Sequence, residues 1–361
     1  MKGVVGMKAV IITDTHFGLK NDSTSFSAYQ NKFFHDVFLP YVVDNDITHV
    51  IHLGDLFDRR KYVNFITAKN VEDNFIKPLI DAGVTFHIIA GNHDTYFKNT
   101  NEVNSLKELY GNTNRDRFLA YWNDAVEIEL DGCKIMLCPW ICTENEERIK
   151  ASIAKTDAQV LMGHFEIAGF EMHRGAICEH GENVNTFDKF DIVMSGHFHH
   201  KSTHRNINYL GAPYEMTWSD YDDPKGFHVF DTTARELTFI KNPYRMFHKI
   251  EYDDTDMTIE DVAELDTSLL TNTHIKVIVK NKSNPYIFDL FMDRLLQSGA
   301  SDIKTIDDLV NFELGEGDDV VDEAQDTLTI LHNFLDSIEV KGDKKSVETF
   351  LNNLYNEAIN L

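Results

Sequence analysis

The chain has 361 residues, 42% of them hydrophobic and 26% charged, with 59 acidic against 34 basic side chains and a net charge of −25. This composition reads as a soluble globular protein of two or three domains. No run of about 18 apolar residues occurs, which excludes a helical membrane span, and the N-terminal MKGVVGMKAVII lacks the apolar core and cleavage site of a signal peptide. Met7 opens a second plausible start, which would make residues 1–6 dispensable. Cys133, Cys138, Cys142 and Cys178 form no CxxC pair, which argues against structural zinc and for reduced thiols in a cytoplasmic setting. The net charge speaks against nucleic acid, since phosphate binding needs local positive charge. Bound divalent cations invert the field of a carboxylate-lined site, however, and the acidic residues are uneven, concentrated over 302–323.

In chain order, the apolar run 8–12 predicts a buried strand ending at Asp14. Phe26, Tyr29, Phe33, Val37 and Tyr41 recur at helical spacing and predict a helix over 25–44. Residues 48–53 predict a strand ending at Gly54-Asp55. Residues 66–82 predict a helix closed by Gly83, and 85–90 a strand ending at Gly91-Asn92-His93-Asp94. This βαβαβ order predicts a parallel sheet with helices on its faces. Strands over 126–130 and 133–138 flank Asp131-Gly132, a hairpin signal. A helix over 143–154 follows, then strands over 159–162 and 192–195 that end at Gly163-His164 and Gly196-His197. Runs at 208–210, 227–230 and 237–240 predict strands closing a second sheet. The expected fold class is α/β, a two-sheet β-sandwich over residues 7–244 flanked by helices. Residues 245–312 predict a small α+β capping domain, with a strand over 275–279, a helix over 286–296 and a strand over 302–306. Residues 313–325 read as an acidic linker. Residues 326–361 predict a helix–loop–helix turning at Gly342-Asp343. Leu328, Leu331, Phe334, Leu335 and Ile338 form one apolar stripe, and Val347, Phe350, Leu351, Leu354 and Ile359 the other.

Five strands end in clusters of metal-ligand type: Asp14-x-His16, Asp55, Asn92-His93-Asp94, His164 and His197-x-His199. In open α/β sheets ligands bind beyond the carboxyl ends of strands, so the clusters can converge. A glycine before a ligand lets the backbone turn sharply. Carboxylates, an amide oxygen and several imidazoles, with no thiolate, favour Mn²⁺, Fe²⁺ or Zn²⁺ over Ca²⁺ or Mg²⁺. The donors exceed what one ion takes, so two ions are expected, about 3.5–4 Å apart, with Asp55 suited to bridge them. Such a pair suits phosphoryl chemistry by acidifying a water and neutralising transition-state charge. His93 is placed to face the substrate, with Asp94 available to hold its ring. Arg59, Arg60 and Lys61 are candidate phosphate contacts, and Lys98 is a further candidate substrate contact, at a base or sugar. Tyr96 is a candidate to meet a base or sugar, whereas Phe97 reads as core packing. His35, His49, His87, His228 and His248 read as structural. His173, His180, His200 and His204 fall near the site and are weaker candidates for a substrate role.

The motifs DTH, GDLFD, GNHD, GH and GHFH, in this order within residues 7–240, resemble the calcineurin-like metallophosphoesterase family. Within it the chain most resembles the SbcD-type DNA-repair nucleases and the recombination endonuclease subunits of T-even-type phages. The residues that carry this are His16-Phe17-Gly18, Gly54-Asp55-Leu56-Phe57-Asp58, the long gap before His164, and Gly211-Ala212-Pro213. The resemblance implies one ion on Asp14, His16, Asp55 and His199, and a second on Asp55, Asn92, His164 and His197. His93 would be the catalytic histidine at the leaving group. The implied reaction is Mn²⁺-dependent DNA phosphodiester hydrolysis, with Mg²⁺ as the other candidate ion, acting as double-strand exonuclease and single-strand endonuclease in recombination, repair and end processing. The implied assembly is a homodimer, joined in a heterotetramer to an SMC-like ABC ATPase of the SbcC type through residues 326–361. Helices in the 66–120 region would make the dimer contact. A phage-encoded chain would act in the host cytoplasm. A protein phosphatase or small-molecule phosphodiesterase is the competing enzyme reading. Against a Ser/Thr phosphatase, Asp94 and Arg60 stand where glutamate and glycine are usual. A catalytically dead scaffold is the third reading, and every ligand position is filled.

Overall fold

A computed structural model describes residues 6–111, 116–173 and 176–307. The expected linker 313–325 and helix–loop–helix 326–361 lie outside the described residues. In chain order the strands are β1 (Lys8–Ile12), β2 (His49–His52), β3 (Thr85–Ile89), β4 (Phe118–Tyr121), β5 (Val126–Leu130), β6 (Cys133–Cys138), β7 (Val160–His164), β8 (Glu171–His173), β9 (Ala176–Ile177), β10 (Ile192–Gly196), β11 (Ser202–His204), β12 (Ile207–Tyr209), β13 (Gly226–Asp231), β14 (Glu236–Lys241), β15 (Phe247–Asp253), β16 (His274–Asn281) and β17 (Asp302–Asp307). One six-stranded sheet runs β14-β13-β1-β2-β3-β4, and a second runs β11-β12-β10-β7-β6-β5. Strands β1 to β4 are mutually parallel, as are β6, β7, β10 and β12. The mixed α/β class expected from the sequence is present.

Alternation along the strands builds the layers. Ala9 and Ile11 of β1 face between the sheets with Ile51, Ile89, Leu137, Met162 and Met194. Val10 and Ile12 point the other way, into an aromatic layer with Phe33, Phe34, Phe75 and Phe86. Ile149 and Ile153 of helix Glu146–Lys155 cover the outer face of the second sheet with Leu161 and Val193. A strand buried on both faces reads as an unbroken apolar run, which is why residues 8–12 are legible.

One sheet assignment changes. Strands β13 and β14 do not close the second sheet but extend the first, with β13 antiparallel to β1. β1 is buried on both faces and needs a covered flank. β13 is buried almost throughout and supplies it, while β14 alternates exposed and half-buried residues, as an edge strand does.

The two long helices run over 24–44 and 65–81, each interrupted by a π-turn, at Phe34–Phe38 and Glu72–Ile76. Pro40 and Pro78 follow these turns. A proline has no N–H and its ring clashes with the carbonyl four residues back, and a wider turn relieves both. The β5–β6 hairpin turns at Asp131 (φ 50°) and Gly132 (φ 76°), the two left-handed residues of a type I′ turn. Strands β15 to β17 form a separate parallel sheet, and helix Pro285–Gln297 packs on it through Ile287, Phe291 and Leu295. Strand β15 has no counterpart in the sequence reading because Lys249 and Glu251 interrupt its apolar pattern.

Candidate metal centre

The carboxyl ends of β1, β2, β3, β7 and β10 bring their polar clusters to one place. Asp14, His16 and His199 form one group of donor atoms lying within 4.8 Å of one another, and Asp55, His164 and His197 form another. Asp55 stands between them: its Oδ2 is 3.6 Å from His16 Nε2 and 3.4 Å from His164 Nε2. Asn92 Oδ1 lies 2.8 Å from His164 Nε2 and 3.0 Å from His197 Nδ1. His16 Nε2 and His199 Nε2 are 3.1 Å apart. All seven expected ligands are therefore juxtaposed. His93 also borders the cluster, within 4.8 Å of donor atoms of His16 and Asp55.

Local backbone geometry holds these donors. Asp14, His16, Asp55 and His197 adopt φ of 51°, 42°, 56° and 87°, a region that non-glycine residues seldom enter and that concentrates at functional sites. Gly54 combines φ 97° with close approach: a Cβ there would lie 2.6 Å from His164 Nδ1. At Gly91 a Cβ would lie 2.1 Å from Asp55 Oδ1. These glycines serve close packing of the ligands as well as the turns.

Asp94 is not where the sequence reading places it. The His93 ring is held by the Asp58 carbonyl, which accepts from Nδ1 at 2.5 Å. Asp94 is turned beneath the ligand loops and accepts N–H bonds from Asp55 (2.8 Å), Gly91 (2.9 Å), Leu56 (3.1 Å) and Phe57 (3.3 Å). It shapes the loop that carries Asp55 rather than the imidazole. Asp94→Ala leaves these buried donors without their acceptor, at about 1–3 kcal/mol for each left unsatisfied. The metal-free variant should lose about 3 kcal/mol or more of stability, read from its urea midpoint at constant slope. A shift under about 1 kcal/mol, less than one such penalty, would contradict this role.

Further residues support the centre without a local signal in the sequence. Asp58 Oδ1 lies 3.4 Å from His16 Nδ1. The Leu53 carbonyl accepts from His164 Nδ1 at 2.7 Å. His52 Nε2 meets Thr15 Oγ1 at 3.0 Å, and Gln30 Nε2 donates to the Thr15 carbonyl at 3.1 Å. Trp140 packs against His197, with ring centroids 5.2 Å apart.

The donor set fits cations. With its Nδ1–H given to Leu53, a neutral His164 presents a lone pair at Nε2. That lone pair faces two more acceptors, Asn92 Oδ1 and Asp55 Oδ2, so a proton or a metal ion must sit between them. Burial opposes the imidazoliums of His16 and His164. Asp58 and Asp55 outweigh it at His16, and Asp55 outweighs it at His164, raising each to about 9. Burial and the buried imidazoles keep His197 well below its usual range. A divalent ion held here would displace protons from His16 and His164. The bound protons stabilise the metal-free fold below the ordinary imidazole value of 6.5, and that stabilisation is lost as pH rises through about 9. Mn²⁺ affinity should therefore rise over this window, with proton release at pH 7. Calorimetry in buffers of different ionisation enthalpy measures that release, and a zero value contradicts this charge assignment.

The basic candidates divide. Arg59 is committed to Asp22 (2.5 Å), the Gly18 carbonyl (3.2 Å) and the Tyr62 hydroxyl. Arg60 is half-buried, its Nη1 is buried without a hydrogen-bond partner, and its charge is felt at Asp55. Lys61 and Lys98 are exposed. Phe97 is 48% exposed beside Tyr96, not core. His200 faces Asp223 at 3.2 Å, and His180 and His204 are exposed. The four cysteines are buried thiols, and none is in a disulfide.

Residues 7–201 match the calcineurin-like phosphoesterase family. The chain belongs to that family. It is a metal-dependent phosphoesterase with two six-stranded sheets. It is similar to the exonuclease subunit 1 of Enterobacteria phage T4, at 30% identity over 355 residues, covering 98% of this chain and 99% of the relative. It is also similar to the SbcD component of the nuclease SbcCD of Staphylococcus epidermidis, at 25% identity over 272 residues and 67% of each chain. Among the described residues no helix is long and apolar enough to cross a membrane.

Proposed function

We propose that the chain is a Mn²⁺-dependent DNA nuclease, a double-strand exonuclease and single-strand endonuclease that works with an SMC-like ABC ATPase in recombination, repair and end processing. The observation that carries this reading is the position of Asp55 between two donor groups, with His93 beside them and held by a backbone carbonyl. Support for DNA as substrate comes from the relatives named as an exonuclease subunit and a nuclease subunit, the first matched over 98% of the chain.

Asp14, His16, Asp55 and His199 would hold one ion, and Asp55, Asn92, His164 and His197 the other. When bound, such ions supply an acidified water and neutralise charge at phosphorus. His93 is oriented by its Nδ1–H on Asp58, so Nε2 is the atom that meets the leaving oxygen and delivers a proton. Arg60 has a guanidinium nitrogen without a hydrogen-bond partner and feels the charge of Asp55, and it is the phosphate contact we favour among Arg59, Arg60, Lys61 and Lys98. On the capping sheet, Lys249 lies 4.7 Å over the Tyr221 ring and Lys276 lies 4.2 Å over Trp218. Alternating cations and aromatic rings suit a nucleic-acid strand.

The net charge of −25 makes the isolated chain a weak binder of duplex. The ATPase, docked through residues 326–361, would supply positive surface to a homodimer of this chain, in the cytoplasm of the cell or phage host. Labelled linear DNA with Mn²⁺ tests the reading. Weak cutting by the chain alone and faster cutting with the ATPase is expected. Uncut DNA under both conditions, with hydrolysis of a phosphoprotein or cyclic nucleotide, would assign the site to the competing phosphatase or phosphodiesterase reading.

A further inference from the structure

Two ligands of the centre, His197 and His199, are only partly buried. The His199 side chain is 35% exposed, whereas those of Asp14, His16, Asp55 and His164 are at most 3% exposed. Packing cannot fix so open a side chain, so its place depends on the backbone beneath it. That backbone is anchored by Lys225, whose own side chain is 4% exposed. Lys225 Nζ donates to the His199 carbonyl at 2.7 Å, to Asp220 Oδ1 at 2.7 Å and to Asp223 Oδ2 at 2.8 Å. Three ammonium donors meet three acceptors. Ala212 gives the same carbonyl a second N–H, at 3.1 Å. Asp220 is in turn clamped by the N–H groups of Met216 and Thr217, each at 2.9 Å.

An ammonium this close to a cation site opposes the cation unless its charge is cancelled. Asp220 and Asp223 cancel it and leave the cluster net negative. His197, at the other end of the same loop, is pinned separately: its N–H reaches both Asp14 carboxylate oxygens at 3.1 Å.

We propose that Lys225 is a positioning residue for metal binding. Held by Asp220 and Asp223, it fixes the 197–199 loop through the His199 carbonyl and sets the affinity for the ion that Asp14, His16 and His199 would hold. The inference rests on the two-ion reading of the centre.

The test is a Mn²⁺ titration of the full chain, followed by calorimetry and by electron paramagnetic resonance of free Mn²⁺. The wild type should take up two ions. Lys225→Met should lose about ten-fold or more in affinity for one ion, the size of effect seen when a ligand's supporting hydrogen bonds are removed, while the other binds as before. Equal weakening of both ions, or no change in either, overturns the proposal. If Lys225→Met does not fold, Asp223→Asn decides, because it leaves Lys225 paired with Asp220. A smaller loss confined to one ion supports the proposal, and unchanged binding of both overturns it. A wild type that binds fewer than two ions removes the two-ion reading itself, a failure visible before any variant is made.

Discussion

His93→Ala is expected to retain both metal ions and to lose turnover by about 10²–10⁴-fold, the range of a positioned acid–base group. Its imidazole borders the donor cluster but is held from outside it, by the Asp58 carbonyl. Its main chain does the structural work: the His93 N–H donates to Asp55 Oδ1 at 2.8 Å, and alanine keeps that bond. The loss should fall on kcat. Metal analysis of the same preparation checks the division of labour. Loss of either ion would mean that His93 is a ligand rather than the proton donor.

Asp55→Asn should be more severe and different in kind. Asn keeps an oxygen for the His93 N–H but removes the negative charge lying between His16 and His164. Asp55 is fully buried and is held well below the usual carboxylate range, because His164 and His93 outweigh its burial. The ions would lose the buried carboxylate whose charge offsets both of them. Mn²⁺ affinity should fall at both sites by at least about 100-fold, beyond what removing a ligand's hydrogen-bond partner costs, and turnover should fall below that of His93→Ala. Retention of one ion at wild-type affinity would show that Asp55 serves a single site.

The convergence of the candidate ligands was legible in sequence because each follows an apolar run and most follow a glycine, so spacing alone places them at strand ends. What was not legible depends on contacts between distant residues. Asp94 sits next to His93 in the chain, yet its carboxylate serves the Asp55 loop. Lys225 lies between a proline and a glycine with no pattern around it, and its partner carbonyl is 26 residues away. The membership of β13 and β14 in the first sheet follows from the need to cover β1, which no periodicity records. The π-turns before Pro40 and Pro78 lie inside helical patterns that read as continuous, because the apolar spacing survives them. Phe97 reads as core by residue type and is exposed by position.

In a two-ion centre Asp55 would be shared between the two halves. The most direct measurement is native mass spectrometry of the wild-type chain and Asp55→Asn, each loaded with Mn²⁺ under the same conditions. Two ions are expected on the wild type, with neither site retained at wild-type occupancy in the variant. A wild type that saturates at one ion, or a variant that keeps two, contradicts this expectation.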